Sequence, residues 1–306
     1  MSTTSDFFED PIMFSKLNSI CPPDTIEGYR GLVAKQLDTS GFVTGGAATP
    51  TASLKYSRVM RSKKIGYIEL FKDVRAGGGN NEGVNVTRMR SQYAQFGEAE
   101  PVYFLPWDQS GAIVKLRIPA KGGHAPDPDF FFTAAINGCS VFVQGDPTSP
   151  TVYHGGGATN VSDKNEAARF WRHALINHIK TSGTAQARGR ISGEVNKTHY
   201  VTTPGTVNNT STVTAEKYEK LLKDQLNKKG SFEVQEVSPW GCVFGVRTGN
   251  DWAFYLQENA TVICNYVTKG GVSTRSYARP MKVSKIFPGG TSGISTMNHI
   301  VPISIT

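Results

Sequence analysis

Short apolar runs bounded by Gly, Pro and Asp clusters dominate this chain. Ile65 to Phe71, Val102 to Leu105, Ala112 to Ile118 and Phe130 to Thr133 lie in the first half. Phe232 to Val237, Val243 to Arg247, Trp252 to Gln257, Thr261 to Val267 and Met281 to Phe287 fill the last eighty residues. Runs of that length and punctuation predict β-strands. Helical spacing occurs three times. Asp24, as an N-cap, opens a stripe of Ile26, Tyr29, Leu32, Val33 and Leu37 that Gly41 closes. A second stripe starts at Ser162 and carries Ala167, Phe170, Trp171, Ala174, Leu175 and His178; a third starts at Thr214 and carries Tyr218, Leu221, Leu222 and Leu226. Strands, then helices, then strands predict an α+β fold, a mixed or antiparallel β-sandwich core with outer helices.

The first twenty residues carry Phe7, Phe8, Ile12, Met13 and Phe14 without clear periodicity, which suggests a mobile arm or a docking segment. Gly41 to Pro50 is too glycine-rich and polar to pack as an element. The expected organisation is therefore an N-terminal arm, helix and linker over 1–50, serving delivery or docking, and a catalytic domain over 51–306.

Composition narrows the class. With 306 residues, 38% of them hydrophobic, the chain can bury a core without disulfide or metal staples, and 32 Gly with 16 Pro suit a loop-rich β protein. No apolar run nears the roughly 20 residues that cross a bilayer, and the start lacks the basic and apolar regions of a secretory signal. If the protein leaves its cell, a delivery machine would then have to carry it. Lys and Arg outnumber Asp and Glu by 33 to 25, a net +8 compatible with peripheral contact with an anionic membrane. The densest basic stretch, Arg58 to Lys64, has few aromatics to stack bases, so it reads as a solvated face and nucleic acid is not an expected partner. Cys21, Cys139, Cys242 and Cys264 form no CxxC pair, which argues against a zinc ribbon or dithiol motif. Cys242 and Cys264 sit in apolar runs and read as core. A monomer without metal or cofactor is expected.

One segment stands apart, Ala134 to Gly157, with Asn137-Gly138-Cys139-Ser140 at one end and Val152-Tyr153-His154-Gly155 at the other. Asn137-Gly138 is a turn pair, Ser140 to Val143 a strand, Asp146-Pro147 to Pro150 a reversal and Thr151 to Tyr153 a returning strand. A hairpin would make Cys139 and His154 cross-strand neighbours. A thiol near its reference pKa is mostly protonated at neutral pH, and an adjacent imidazole can take that proton. Gly138 would let backbone N–H groups near Cys139 face a developing oxyanion, and Gly155 to Gly157 would leave room beside His154. Ser140, Asn137 and Tyr153 either line the site or pack the hairpin. On the residues alone, a buried Cys139 and a His154 without a task stay open.

Asn137-Gly138-Cys139 leading a β run, with Tyr153-His154 fifteen residues after the cysteine, resembles the active-site hairpin of the cytotoxic necrotizing factor family of bacterial toxins. The family has Ser-Gly-Cys there, so Asn137 replaces its serine. The resemblance implies a β-sandwich with outer helices, with Cys139 and His154 as the catalytic pair. It also implies hydrolysis of a protein glutamine amide, with possible transglutamination when an amine replaces water. The substrate implied is a host protein of the Rho GTPase class, whose switch glutamine positions the attacking water.

Rival patterns are weaker. His154-Gly155-Gly156-Gly157 matches a lipase oxyanion loop, but no Gly-x-Ser-x-Gly elbow accompanies it. Arg75 to Gly83 is glycine-rich yet lacks the Gly-Lys-Ser/Thr ending of a phosphate loop, so it reads as a flexible loop bordering the cleft. His173 and His178 are five apart, a spacing unlike that of helix metal ligands. A cysteine protease of papain-like chemistry uses the same thiol and imidazole, and a non-enzymatic β-sandwich binding module would need neither. Selectivity is expected from the loops Arg75 to Val86 and Lys121 to Asp129.

Overall fold

The computed structural model describes residues 3–23, 59–61, 65–76, 81–91, 100–107, 113–123, 125–156, 164–181, 191–200, 232–268, 270–289 and 292–295. The helices expected from Asp24 and Thr214, the 41–50 linker, the boundary at 50/51 and Gly157 lie outside the described residues. In chain order the elements are α1 (Thr3–Glu9), α2 (Pro11–Leu17), β1 (Ile20–Cys21), β2 (Val59–Arg61), β3 (Ile65–Ala76), β4 (Asn81–Ser91) and β5 (Glu100–Leu105). There follow β6 (Ile113–Arg117), β7 (Phe130–Thr133), β8 (Ser140–Gln144), β9 (Thr151–Gly155), α3 (Lys164–Thr181), β10 (Ile191–Val195) and α4 (Lys197–Tyr200). Three long strands, β11 (Phe232–Thr248), β12 (Asp251–Thr268) and β13 (Gly271–Phe287), precede β14 (Ser292–Ser295).

The strands form two sheets. The larger has the order β1-β4-β3-β5-β7-β11-β12-β13-β14 and the smaller β10-β8-β9-β6-β2. Most neighbours are antiparallel, with β1/β4, β5/β7, β2/β6 and β13/β4 parallel. The β13/β4 pairing, Thr274 with Asn81 and Arg275 with Glu82, closes the larger sheet on itself. The fold is α+β with a β-sandwich core and outer helices, because each sheet carries a buried apolar layer on both of its faces.

Three apolar layers follow from strand alternation. Between the sheets, Tyr103, Leu105, Phe131, Val243, Trp252, Phe254 and Leu256 of the larger meet Val114, Leu116, Val141, Val143, Val152 and Val195 of the smaller. The other face of the larger sheet packs Val102, Phe104, Phe132 and Phe244 against Phe7, Phe14 and Ile20. The other face of the smaller sheet packs Ile113, Phe142 and Tyr153 under Phe170, Trp171, Ala174 and Leu175 of α3.

Residues 3–21 are therefore not the mobile arm expected. Asp10 caps α2 by accepting the Met13 N–H at 2.9 Å, with Pro11 in the first turn, where its missing N–H costs nothing. Phe7 is fully buried and touches Phe14, Phe130, Phe132 and Phe244. The buried Gln257 amide on β12 donates to Ser15 O (2.6 Å) and Asn18 O (2.7 Å), and its oxygen accepts the Ile20 N–H (2.9 Å). The absence of periodicity reflects two seven-residue helices, each too short to display a repeat.

Two strand breaks expected from the sequence do not occur. The apolar runs at 232–237 and 243–247 join into β11 through Pro239, and those at 252–257 and 261–267 join into β12. Pro239 pairs with Ala260 on β12, whereas β7 meets β11 only at residues 244–246, so the side that lacks an N–H needs no partner there. The Arg75 to Gly83 segment, expected as a loop bordering the cleft, includes the end of β3 and the start of β4.

Candidate active site

The predicted hairpin is present. Strands β8 and β9 pair Ser140 with Gly155, Val141 with His154, Phe142 with Tyr153, Val143 with Val152 and Gln144 with Thr151. Asp146 makes the reversal: its carboxylate accepts the Thr148 N–H (2.9 Å) and hydroxyl (2.7 Å), which hold it below its ordinary pKa, and its carbonyl accepts the Ser149 N–H (3.1 Å). Trp252 N–H donates to Pro147 O at 2.9 Å, anchoring this turn to the larger sheet.

Register decides which residues share a face. Cys139, Val141 and Val143 alternate onto the layer between the sheets, and His154, level with Val141 on one side and Val114 on the other, faces the same layer. Continued one step, the ladder brings Cys139 level with Gly156, so Cys139 and His154 are diagonal cross-strand neighbours, a relation that spans roughly 7–8 Å between backbones. An ideal Cβ on Gly156 would stand 2.6 Å from Cys139 Sγ and 2.5 Å from Trp107 Nε1. Only glycine leaves that space to the sulfur and the indole.

Both chemical groups are enclosed. Cys139 is 5% exposed and His154 is 0% exposed. Neither Nδ1 nor Nε2 of His154 has a hydrogen-bond partner, so no hydrogen bond joins imidazole to thiol, in contrast to the contact expected. Burial alone pushes the imidazole down to about 3, which leaves it neutral across the ordinary pH range. A neutral ring can accept a proton, and a thiolate beside it is the charge that would stabilise the resulting imidazolium. Comparison of the chain with protein-family models and with curated proteins finds no match.

The backbone at the cysteine is held by a residue the sequence did not single out. Gly138 N–H donates to Tyr200 Oη at 2.6 Å, and that hydroxyl donates to Cys139 O at 3.0 Å. Burial raises the Tyr200 hydroxyl well above its ordinary pKa, so it stays protonated and can donate. Gly138 has φ +102°, a conformation that side chains rarely adopt, and this turns the chain into β8. Of the N–H groups near Cys139 expected to face an oxyanion, that of Gly138 is occupied by Tyr200. Tyr200 belongs to α4, where Asn196 is the N-cap and His199 Nδ1 accepts the Asn196 N–H at 3.0 Å. Nothing in Asn196-Lys-Thr-His199-Tyr200 marks a link to residue 139.

The remaining expected site residues divide by face. Ser140, Tyr153 and Gly155 belong to the face under α3, opposite Cys139. Tyr153 donates to Gln144 Oε1 at 2.7 Å, and burial pushes its hydroxyl up to about 12. A Cβ on Gly155 would meet Trp171 at 3.0 Å and Ile113 at 3.2 Å. Ser140 and Tyr153 pack the hairpin, the second of the two readings, whereas Gly155, expected to leave room beside His154, faces Trp171; the glycine beside the thiol is Gly156. Asn137 is exposed beside the turn. Lys121 to Asp129 does not border this end. Ile118 N–H bonds Pro150 O, and Arg247 holds Asp129 (2.6 Å) and Asp127 (2.8 Å), fixing that loop at the turn end of the hairpin, about 17 Å away by strand rise.

Cys242 and Cys264 are fully buried, and burial raises the Cys242 thiol well above its ordinary pKa. Among the described residues no three His, Cys, Asp or Glu side chains gather as metal ligands.

Proposed function

We propose that the protein is a thiol acyl-transfer enzyme that hydrolyses a glutamine side-chain amide of another protein, with Cys139 as nucleophile and His154 as proton carrier. The observation that carries this reading is the shared face of the two residues, where a wholly enclosed imidazole keeps both nitrogens unpartnered diagonally across the hairpin from an enclosed thiol. Buried polar atoms in folded proteins are nearly always bonded, and exceptions concentrate where a substrate or proton supplies the missing partner.

In this mechanism His154 takes the thiol proton and the Cys139 sulfur attacks the side-chain carbonyl carbon. The C=O pair moves to oxygen, giving a tetrahedral oxyanion. Collapse breaks the C–N bond, and ammonia leaves with the proton held by His154. Water, deprotonated by His154, then cleaves the thioester, leaving glutamate and the free thiol. Closure of the thiol–imidazole contact would accompany substrate binding, since catalytic hydrogen bonds often tighten only in the complex. Tyr200 fixes the peptide on both sides of the sulfur and acts as a positioning residue.

The resemblance of Asn137-Gly138-Cys139 and Tyr153-His154 to the toxin hairpin supports a Rho-type GTPase as substrate and action in a host cytosol after delivery. Intact mass spectrometry of small GTPases incubated with the protein tests this. A gain of about one dalton with wild type, and none with Cys139→Ser, is what amide-to-acid conversion requires. Unchanged masses with every GTPase tried would remove the substrate assignment; cleavage products would replace amide hydrolysis with proteolysis.

A further inference from the structure

We infer that the indole N–H of Trp107 is the oxyanion donor of this site. The inference rests on the thiol acyl-transfer reading above and adds to it the group that receives the charge.

A thiolate attacking a carbonyl places a full negative charge on oxygen, and an enclosed site must offer a donor for it. Backbone donors are the usual solution, but the Gly138 N–H is already given to Tyr200. Trp107 Nε1 is a buried donor without a hydrogen-bond partner. An ideal Cβ on Gly156 would stand 2.5 Å from this nitrogen and 2.6 Å from Cys139 Sγ, so donor and nucleophile pack side by side against Gly156, no more than 5.1 Å apart. Indole N–H can only donate, which suits an oxyanion and gives nothing to a cation.

The position is fixed by the fold. Trp107 lies two residues beyond β5, where Leu105 O accepts the Ala134 N–H at 2.9 Å, and it packs on the layer between the sheets. The chain from Ala134 then runs to Cys139, so the donor and the nucleophile flank one crossing point. A buried indole N–H without a partner is unfavourable, and an arriving oxygen relieves it. Placement near Cys139 Sγ distinguishes Trp107 from Trp252, whose indole N–H is likewise buried without a partner.

The two kinds of attack a thiol can make separate this role from a structural one. Acylation by p-nitrophenyl acetate forms the C–S bond through an oxyanion and expels p-nitrophenolate, leaving an acetyl thioester. Alkylation by iodoacetamide displaces iodide and develops no oxyanion. Both rates at Cys139 are to be measured by peptide mass spectrometry on full-length wild type, Trp107→Phe, and protein with benzothienylalanine at position 107. The last replaces N–H by sulfur while keeping the bicyclic shape, so it serves if Trp107→Phe folds poorly.

The expected result is a fall in acetylation of on the order of a hundredfold in both variants, with alkylation within about twofold of wild type. Equal losses of both rates, or no loss of acetylation, overturn the inference and leave thiol chemistry intact. Failure of wild-type Cys139 to acetylate at all overturns the acyl-transfer reading, and the inference with it.

Discussion

His154 is a histidine enclosed without a partner, and that has a measurable cost in acid. Its folded pKa is depressed from 6.5 to about 3 by burial. Between those values the unfolded chain binds a proton that the native protein does not, so the stability contribution is full above the unfolded value and is lost as pH falls below it. Each pH unit inside that window removes at most about 1.4 kcal/mol. Urea denaturation from pH 8 to pH 4 should therefore show falling stability, and His154→Gln should flatten that decline. An equally steep profile in the variant would place the acid-labile group elsewhere. The imidazole's shared face with the thiol was readable from residues alone, since a hairpin through Asp146-Pro147 returns residue 154 towards residue 139. Its isolation was not readable, because what lies beside it depends on Val114 of a third strand, far from it in sequence.

Among elements, the β8–β9 hairpin presents neighbouring glycines to opposite layers. Gly156 opens towards the thiol and Gly155 towards α3. Gly155→Val should destabilise by roughly 1–3 kcal/mol and raise hydrogen exchange across α3, without altering iodoacetamide reactivity of Cys139. Gly156→Ala should instead suppress that reactivity, because its Cβ would intrude beside Sγ and the rigid indole. A common effect of both substitutions would refute the face assignment. Short strands such as β7 matched the apolar run Phe130 to Thr133 closely, since burial on both faces gives an unbroken apolar signal. Strand β4 escaped detection because Asn81 to Ser91 is largely polar, and Pro239 suggested a break where an unpaired strand side tolerates it. Tyr200 had no local signal at all; its bond to residue 138 spans 62 positions.

For the whole molecule, the α+β sandwich was legible from the order of apolar runs, whereas the role of the first twenty residues was not. Helices of seven residues cannot declare a period, and the segment's partners lie on strands β7, β11 and β12. Phe7→Ala should cost about 3–5 kcal/mol in urea denaturation, the usual range for emptying a fully buried aromatic site. A chain trimmed to 51–306 should lose its cooperative transition, because it also strips the partners of Gln257 and exposes the phenylalanine layer. Native-like unfolding of the trimmed chain would show that residues 3–21 are dispensable to the fold.

The three bonds that Gln257 makes to residues 15, 18 and 20 also bear on a sequence of events. During synthesis Ser15, Asn18 and Ile20 leave the ribosome well over two hundred residues before the amide that will hold them. Until β11 and β12 are made, the helix pair has only part of its wall, the faces of β3, β5 and β7, to close against. The N-terminal helix pair is thus held at its C-terminal side only once residue 257 has been made, although the smaller sheet is complete by Val195.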